Sequence, residues 1–128
     1  MHLHLHSTSG ISGDMLMGGF LGLGLPLKFL QEELEKLNLK GWKISQKSVE
    51  KLGVSAIQFE VSYEEQNHHR HLTEILEILG KSELSPKAKS IAEDLFQSLG
   101  CAESSVHQVP IEEVHFHEVG AVDTIIDI

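Results

Sequence analysis

Apolar and polar positions change period several times along this 128-residue chain, and each change marks an element. Leu3 and Leu5 alternate with His2, His4 and His6, a period of two that predicts a short first strand with Leu on one face and His on the other. Ser7-Thr8-Ser9-Gly10-Ile11-Ser12-Gly13-Asp14 follows as a glycine-containing turn. Met15 to Leu23 reads as a buried helix whose small residues let a neighbouring backbone come close, and Gly24-Leu25-Pro26 ends it. Leu30, Leu34 and Leu37, at spacings of four and three, predict a second helix over Leu27 to Leu37, stopped by Asn38 to Gly41.

From Trp42 the period returns to two. Trp42 and Ile44, then Ile57, Phe59, Val61 and Tyr63, alternate with polar residues and predict two antiparallel strands joined through Lys51-Leu52-Gly53. Leu72, Ile75, Leu76 and Leu79 give helical spacing. Ser85 and Pro86 open a further helix as N-cap and first-turn residue, and Gly100 is placed to close it. Its apolar stripe runs from Ala88 through Ile91, Ala92, Leu95 and Phe96 to Leu99, with Cys101 just beyond expected to be buried or half-buried. A last helix is expected from Ala121, with Val122, Ile125, Ile126 and Ile128 on its apolar face. It carries no stop signal before Ile128, so the chain is expected to be a fragment of something longer. These elements predict a single compact domain over 1–128, α/β or α+β, with a small mixed sheet and helices packed on it.

Composition narrows the class. Hydrophobic content of 41% and charged content of 23% are those of a soluble globular chain. A net charge of −9 with ten Lys and Arg argues against a nucleic-acid surface, which needs a clustered basic footprint, and suits cations instead. No apolar run reaches the ~18 residues of a membrane span, and His2, His4 and His6 do not make the basic start of a secretory signal. One cysteine permits no internal disulfide and suits a reducing cytoplasm.

Nine histidines in so short a chain are the anomaly, and they gather. His68, His69 and His71 flank Arg70 where a strand gives way to a helix, a junction that presents side chains to ligands. His115, His117 and Glu118 follow 44 residues after His71. Two histidines two apart in an extended segment point to the same side, and neutral imidazole is a good donor for nickel, zinc, copper and iron. The bland alternatives, a polar loop for the first cluster and a satisfied core strand for the second, stay open on the residues alone. Ser9, Gly10, Ser12, Gly13 and Asp14 permit a turn whose amides face a phosphate at a helix start, although Asp14 equally suits a cap or a cation ligand. A capped turn with no ligand explains the same residues.

Three motifs in order, S-G-I-S-G-D-M at 9–15, H-R-H-L at 69–72 and E-E-V-H-F-H-E-V-G-A-V-D at 112–123, resemble the N-terminal part of the LarC-type nickel-insertion proteins. The resemblance covers essentially the whole chain, and it implies a cytoplasmic nickel chelatase (cyclometallase, of the lyase class). Such an enzyme inserts Ni²⁺ into a pyridinium bisthiocarboxylic acid mononucleotide, making the nickel-pincer nucleotide cofactor of lactate racemase. It further implies CTP with Mn²⁺ or Mg²⁺ held by a C-terminal part, which belongs to the same protein or a second polypeptide, and leaves a homo-oligomer open. On this reading His68, His69, His71, His115, His117 and Glu118 handle nickel. Glu118 or a histidine such as His117 is the base that removes the ring proton, and the 9–14 turn faces phosphate or cation. The family's first strand ends in a pattern like L-x-L-D, where this chain has His6. Other classes that fit the residues are a non-enzymatic nickel-delivery module, a metal-dependent phosphohydrolase and a structural assembly domain.

Overall fold

The computed structural model describes residues 2–63, 70–116 and 122–128, with only the backbone described at His115. In chain order these form α1 (Gly13–Gly22), α2 (Leu27–Glu35), β1 (Trp42–Lys51), β2 (Val54–Tyr63), β3 (Arg70–His71), α3 (Leu72–Lys81), α4 (Pro86–His107), a 3-10 turn (Ile111–Glu113), β4 (His115–Phe116) and α5 (Val122–Asp127). The class is α+β, and among the described residues the strands make two separate antiparallel pairs, β1 with β2 and β3 with β4.

The period-two stretches pair along their whole length, from Trp42 opposite Tyr63 to Lys51 opposite Val54. Leu52 (φ 54) and Gly53 (φ 77) both adopt left-handed backbone, the two-residue turn whose twist matches that of the strands it joins. Phe59 on β2 is buried, with Ile44, Ile57 and Val61 packed against the core beside it. Helix α1 lies on this strand, and Gly18 shows why the helix is rich in glycine. A Cβ at that position would stand 2.4 Å from the backbone carbonyl oxygen of Ile57, so only hydrogen fits.

On the other side of the core, α3 contributes Leu72, Ile75 and Leu79, and α4 contributes Ala92 and Phe96. The sequence signals for α4 hold at its start, where Ser85 Oγ accepts the amide N–H of Ala88 at 3.2 Å. They fail at its end. Gly100 does not close the helix, which runs on to His107 and stops where Gln108 turns left-handed (φ 54). Gly100 is buried, and a Cβ there would lie 2.8 Å from Leu72 Cδ2 and 3.5 Å from Ile111 Cδ1. It lies within the helix against the Leu72 and Ile111 side chains, and the left-handed cap is Gln108 instead. Cys101, the next residue, is consequently turned outward and exposed rather than buried.

The expected first strand is a second correction. Residues 2–7 take no regular structure, and Leu3 and Leu5 are 49% and 55% exposed. Alternation describes how side chains would face, but a strand forms only when its amides find a partner, and neither ladder among the described residues includes this segment. Among those residues, too, no helix is long and apolar enough to cross a membrane.

Candidate functional site

The β3–β4 pair is short, and packing explains where it sits. Val114 and Phe116 are buried to 2% and 1% exposure, two positions apart as strand periodicity requires. Phe116 meets Phe96 of α4 edge to face, with ring centroids 6.5 Å apart. That anchor fixes β4 and with it the residue between the two buried ones, His115. Across the ladder His115 is the register partner of His71, and Phe116 the partner of Arg70. Two segments 44 positions apart in sequence are thus brought together, in their backbones, at two histidines.

His71 also sits immediately before α3, where its amide N–H donates to Glu74 Oε2 at 2.8 Å. Its ring is half-buried, with Nδ1 withdrawn from solvent. The other residues assigned to nickel, His68, His69, His117 and Glu118, lie outside the described residues, as does the assignment of the base to Glu118 or His117. Among the described residues, no three His, Cys, Asp or Glu side chains are gathered at metal-binding distances.

The turn before α1 has its own chemistry. Gly10 is left-handed at φ 88, a backbone that glycine adopts without strain. Ser12 precedes the first helical residue, Gly13, and its hydroxyl donates to the Asp14 carboxylate. Against this turn packs Asp127 from α5, which sequence reasoning did not single out. The Asp127 side chain lies so close to Gly13 that a Cβ there would be 2.4 Å from Asp127 Cβ. Its carboxylate accepts the Asp14 backbone N–H, and Oδ1 is buried without a partner among the described residues. Burial above all, then the negative Asp14 and Asp123, push its pKa up from the ordinary 3.8 to about 6, while the Asp14 N–H opposes the shift. The electropositive start of α1 therefore already holds a carboxylate of the chain itself. The signal was present in the sequence as Asp123 and Asp127, four apart and so on one side of a helix.

Two histidines opposite each other on a short ladder and a glycine-containing turn at a helix start are the features of this α+β protein that bear on its class. The chain belongs to the nickel insertion protein family, whose model matches residues 3–128. It is 43% identical over 136 positions to the pyridinium-3,5-bisthiocarboxylic acid mononucleotide nickel insertion protein of Geobacillus kaustophilus, across 98% of this chain and 33% of that protein. A protein of the same description from Desulfitobacterium hafniense (strain DSM 10664 / DCB-2) is also 43% identical, across 98% and 31%. A putative nickel insertion protein of Syntrophotalea carbinolica is 42% identical, across 98% and 32%. The chain thus spans about a third of the length of these curated relatives. No solved structure matches it.

Proposed function

We propose that this chain is the N-terminal domain, residues 1–128, of a cytoplasmic nickel insertion enzyme of the lyase class. The enzyme places Ni²⁺ into pyridinium-3,5-bisthiocarboxylic acid mononucleotide, and the product is the nickel-pincer nucleotide. The observation that carries the reading is the pairing of His71 with His115 in a chain whose relatives bear that substrate in their names. Nickel is the cargo here, and the donor chemistry suits a cargo. Imidazoles bind Ni²⁺ well, whereas several thiolates would hold it too tightly to pass on. His71 and His115 supply the meeting point of the two clusters, with His68, His69, His117 and Glu118 as the remaining ligands. As nickel bonds to the ring carbon, the ring proton leaves that carbon for Glu118 or His117, and the thiocarboxylate sulfurs complete the pincer.

The turn of Ser9, Gly10, Ser12, Gly13 and Asp14 serves a cation rather than a phosphate on this reading. A phosphate at the start of α1 would have to displace Asp127 and would meet the negative field of Asp14 and Asp123, a field that does not oppose a cation. CTP and its Mn²⁺ or Mg²⁺ are assigned to the C-terminal part of the architecture, on the same chain or a second polypeptide. A nickel-delivery role without chemistry is the second reading, which the same pairing of His71 with His115 would serve.

Calorimetric titration of nickel into the chain and into the His71→Ala/His115→Ala double variant tests the site. Affinity is expected to fall at least tenfold, and unchanged stoichiometry and affinity overturn the reading. Formation of the nickel-pincer product on adding the C-terminal part of a relative separates enzyme from delivery module.

A further inference from the structure

The chain contains a single tryptophan and a single tyrosine, and the β1–β2 register sets them opposite each other at the open end of the hairpin, Trp42 across from Tyr63. Gly41, left-handed at φ 80, turns the chain into β1 just before Trp42. The indole is held in place, because its Nε1–H donates to the Leu39 carbonyl at 2.9 Å. Tyr63 is 39% exposed, more than a core aromatic would be. Gly41, Trp42, Lys43, Ser62 and Tyr63 line a groove of about 420 Å³, within the size range of small-molecule sites. Trp42 and Lys43 also border an adjoining groove of about 410 Å³ that Glu35 helps to line.

We propose that this groove binds the pyridinium ring and phosphate of the mononucleotide substrate. The inference rests on the function proposed above and adds residues of the hairpin to it. A pyridinium is planar, electron-poor and positively charged. Those are the properties that indole and phenol faces attract, through stacking and cation–π interaction. Lys43 also lines the groove and is the phosphate's partner on this reading. The Ser62 hydroxyl, which donates to the Lys43 carbonyl at 3.4 Å, ties the two strands together at this end.

Because Trp42 is the sole tryptophan, the fluorescence comes from one indole, and Tyr63→Ala ties a response to this groove. The nickel-free chain is titrated with nicotinic acid mononucleotide, a pyridinium mononucleotide, and separately with cytidine monophosphate, whose ring is uncharged. Saturable quenching by the pyridinium, at least tenfold tighter than any response to cytidine monophosphate, is expected. Tyr63→Ala should weaken it about tenfold, the lower range of an aromatic stacking contact, while Tyr63→Phe keeps the ring and the affinity. Lys43→Ala should weaken the mononucleotide but leave nicotinic acid riboside, which lacks only the phosphate, unchanged. Quenching that rises linearly without saturating, equal response to both nucleotides, or indifference to Tyr63→Ala overturns the proposal. Nickel is absent throughout, so failure here leaves the calorimetric nickel result untouched, and loss of nickel binding alone leaves this result standing.

Discussion

Gly18 and Gly19 are neighbours in one helix, and alanine should affect them in opposite directions. In an exposed helix interior, replacing glycine by alanine stabilises by about 0.5–1 kcal/mol, chiefly by narrowing the unfolded ensemble. Gly19 meets this condition, since nothing lies within 4 Å of an added Cβ. At Gly18 the same methyl would stand 2.4 Å from the Ile57 carbonyl oxygen and 3.5 Å from its carbon. A carbon–oxygen contact relaxes only beyond about 3.3 Å, so α1 would have to withdraw from β2 by nearly 1 Å. The obstacle is strand backbone, which has no rotamer to change. Overpacking of this kind costs about 1–3 kcal/mol, and the propensity gain offsets only part of it. The expected outcomes are Gly19→Ala raised by about 2–4 °C in Tm and Gly18→Ala lowered by several degrees, taking about 3–5 °C per kcal/mol for a domain of this size. Thermal unfolding followed by circular dichroism measures both. A Gly18→Ala protein as stable as Gly19→Ala would refute the close α1–β2 contact.

Asp127 gives a pH prediction. Its pKa of about 6 in the fold stands above the ordinary 3.8, so between those values the folded chain keeps a proton that the unfolded chain releases. This carboxyl's contribution is therefore fully present below about pH 4 and is lost as pH rises to about 6. Asp127→Asn should remove that loss, and the difference in Tm between variant and parent should widen from pH 4 to pH 6.5; a constant difference would refute the assignment. At the hairpin turn, Leu52 is 97% exposed in left-handed backbone that asparagine adopts more readily. Leu52→Asn should stabilise by about 0.5–1 kcal/mol in urea unfolding with no change in nickel affinity.

Much of this fold was legible because period reports exposure. The β1–β2 hairpin, with its switch to alternation at Trp42 and its turn at Leu52-Gly53, could be placed from side-chain pattern alone, and so could the Ser85-Pro86 start of α4. Where pattern misled, the deciding interaction was remote in sequence. Gly100 looks the same locally whether it caps a helix or admits Leu72, and only the α3–α4 crossing distinguishes the two. Leu3 and Leu5 alternate as a strand should, but no alternation specifies a partner. Of the candidate site, the convergence of the His71 and His115 segments was anticipated as a requirement and is seen in the backbone. Asp127 was missed because its meaning comes from Gly13, more than a hundred residues away.

The bare contact at Gly18 has a mechanical consequence. Side chains between a helix and a sheet act as cushions, since a rotamer change can absorb a small displacement before the backbone feels it. Between α1 and β2 there is no cushion at that point. A displacement of α1 at Gly18 therefore meets the Ile57 backbone directly, with no side chain between them to absorb it.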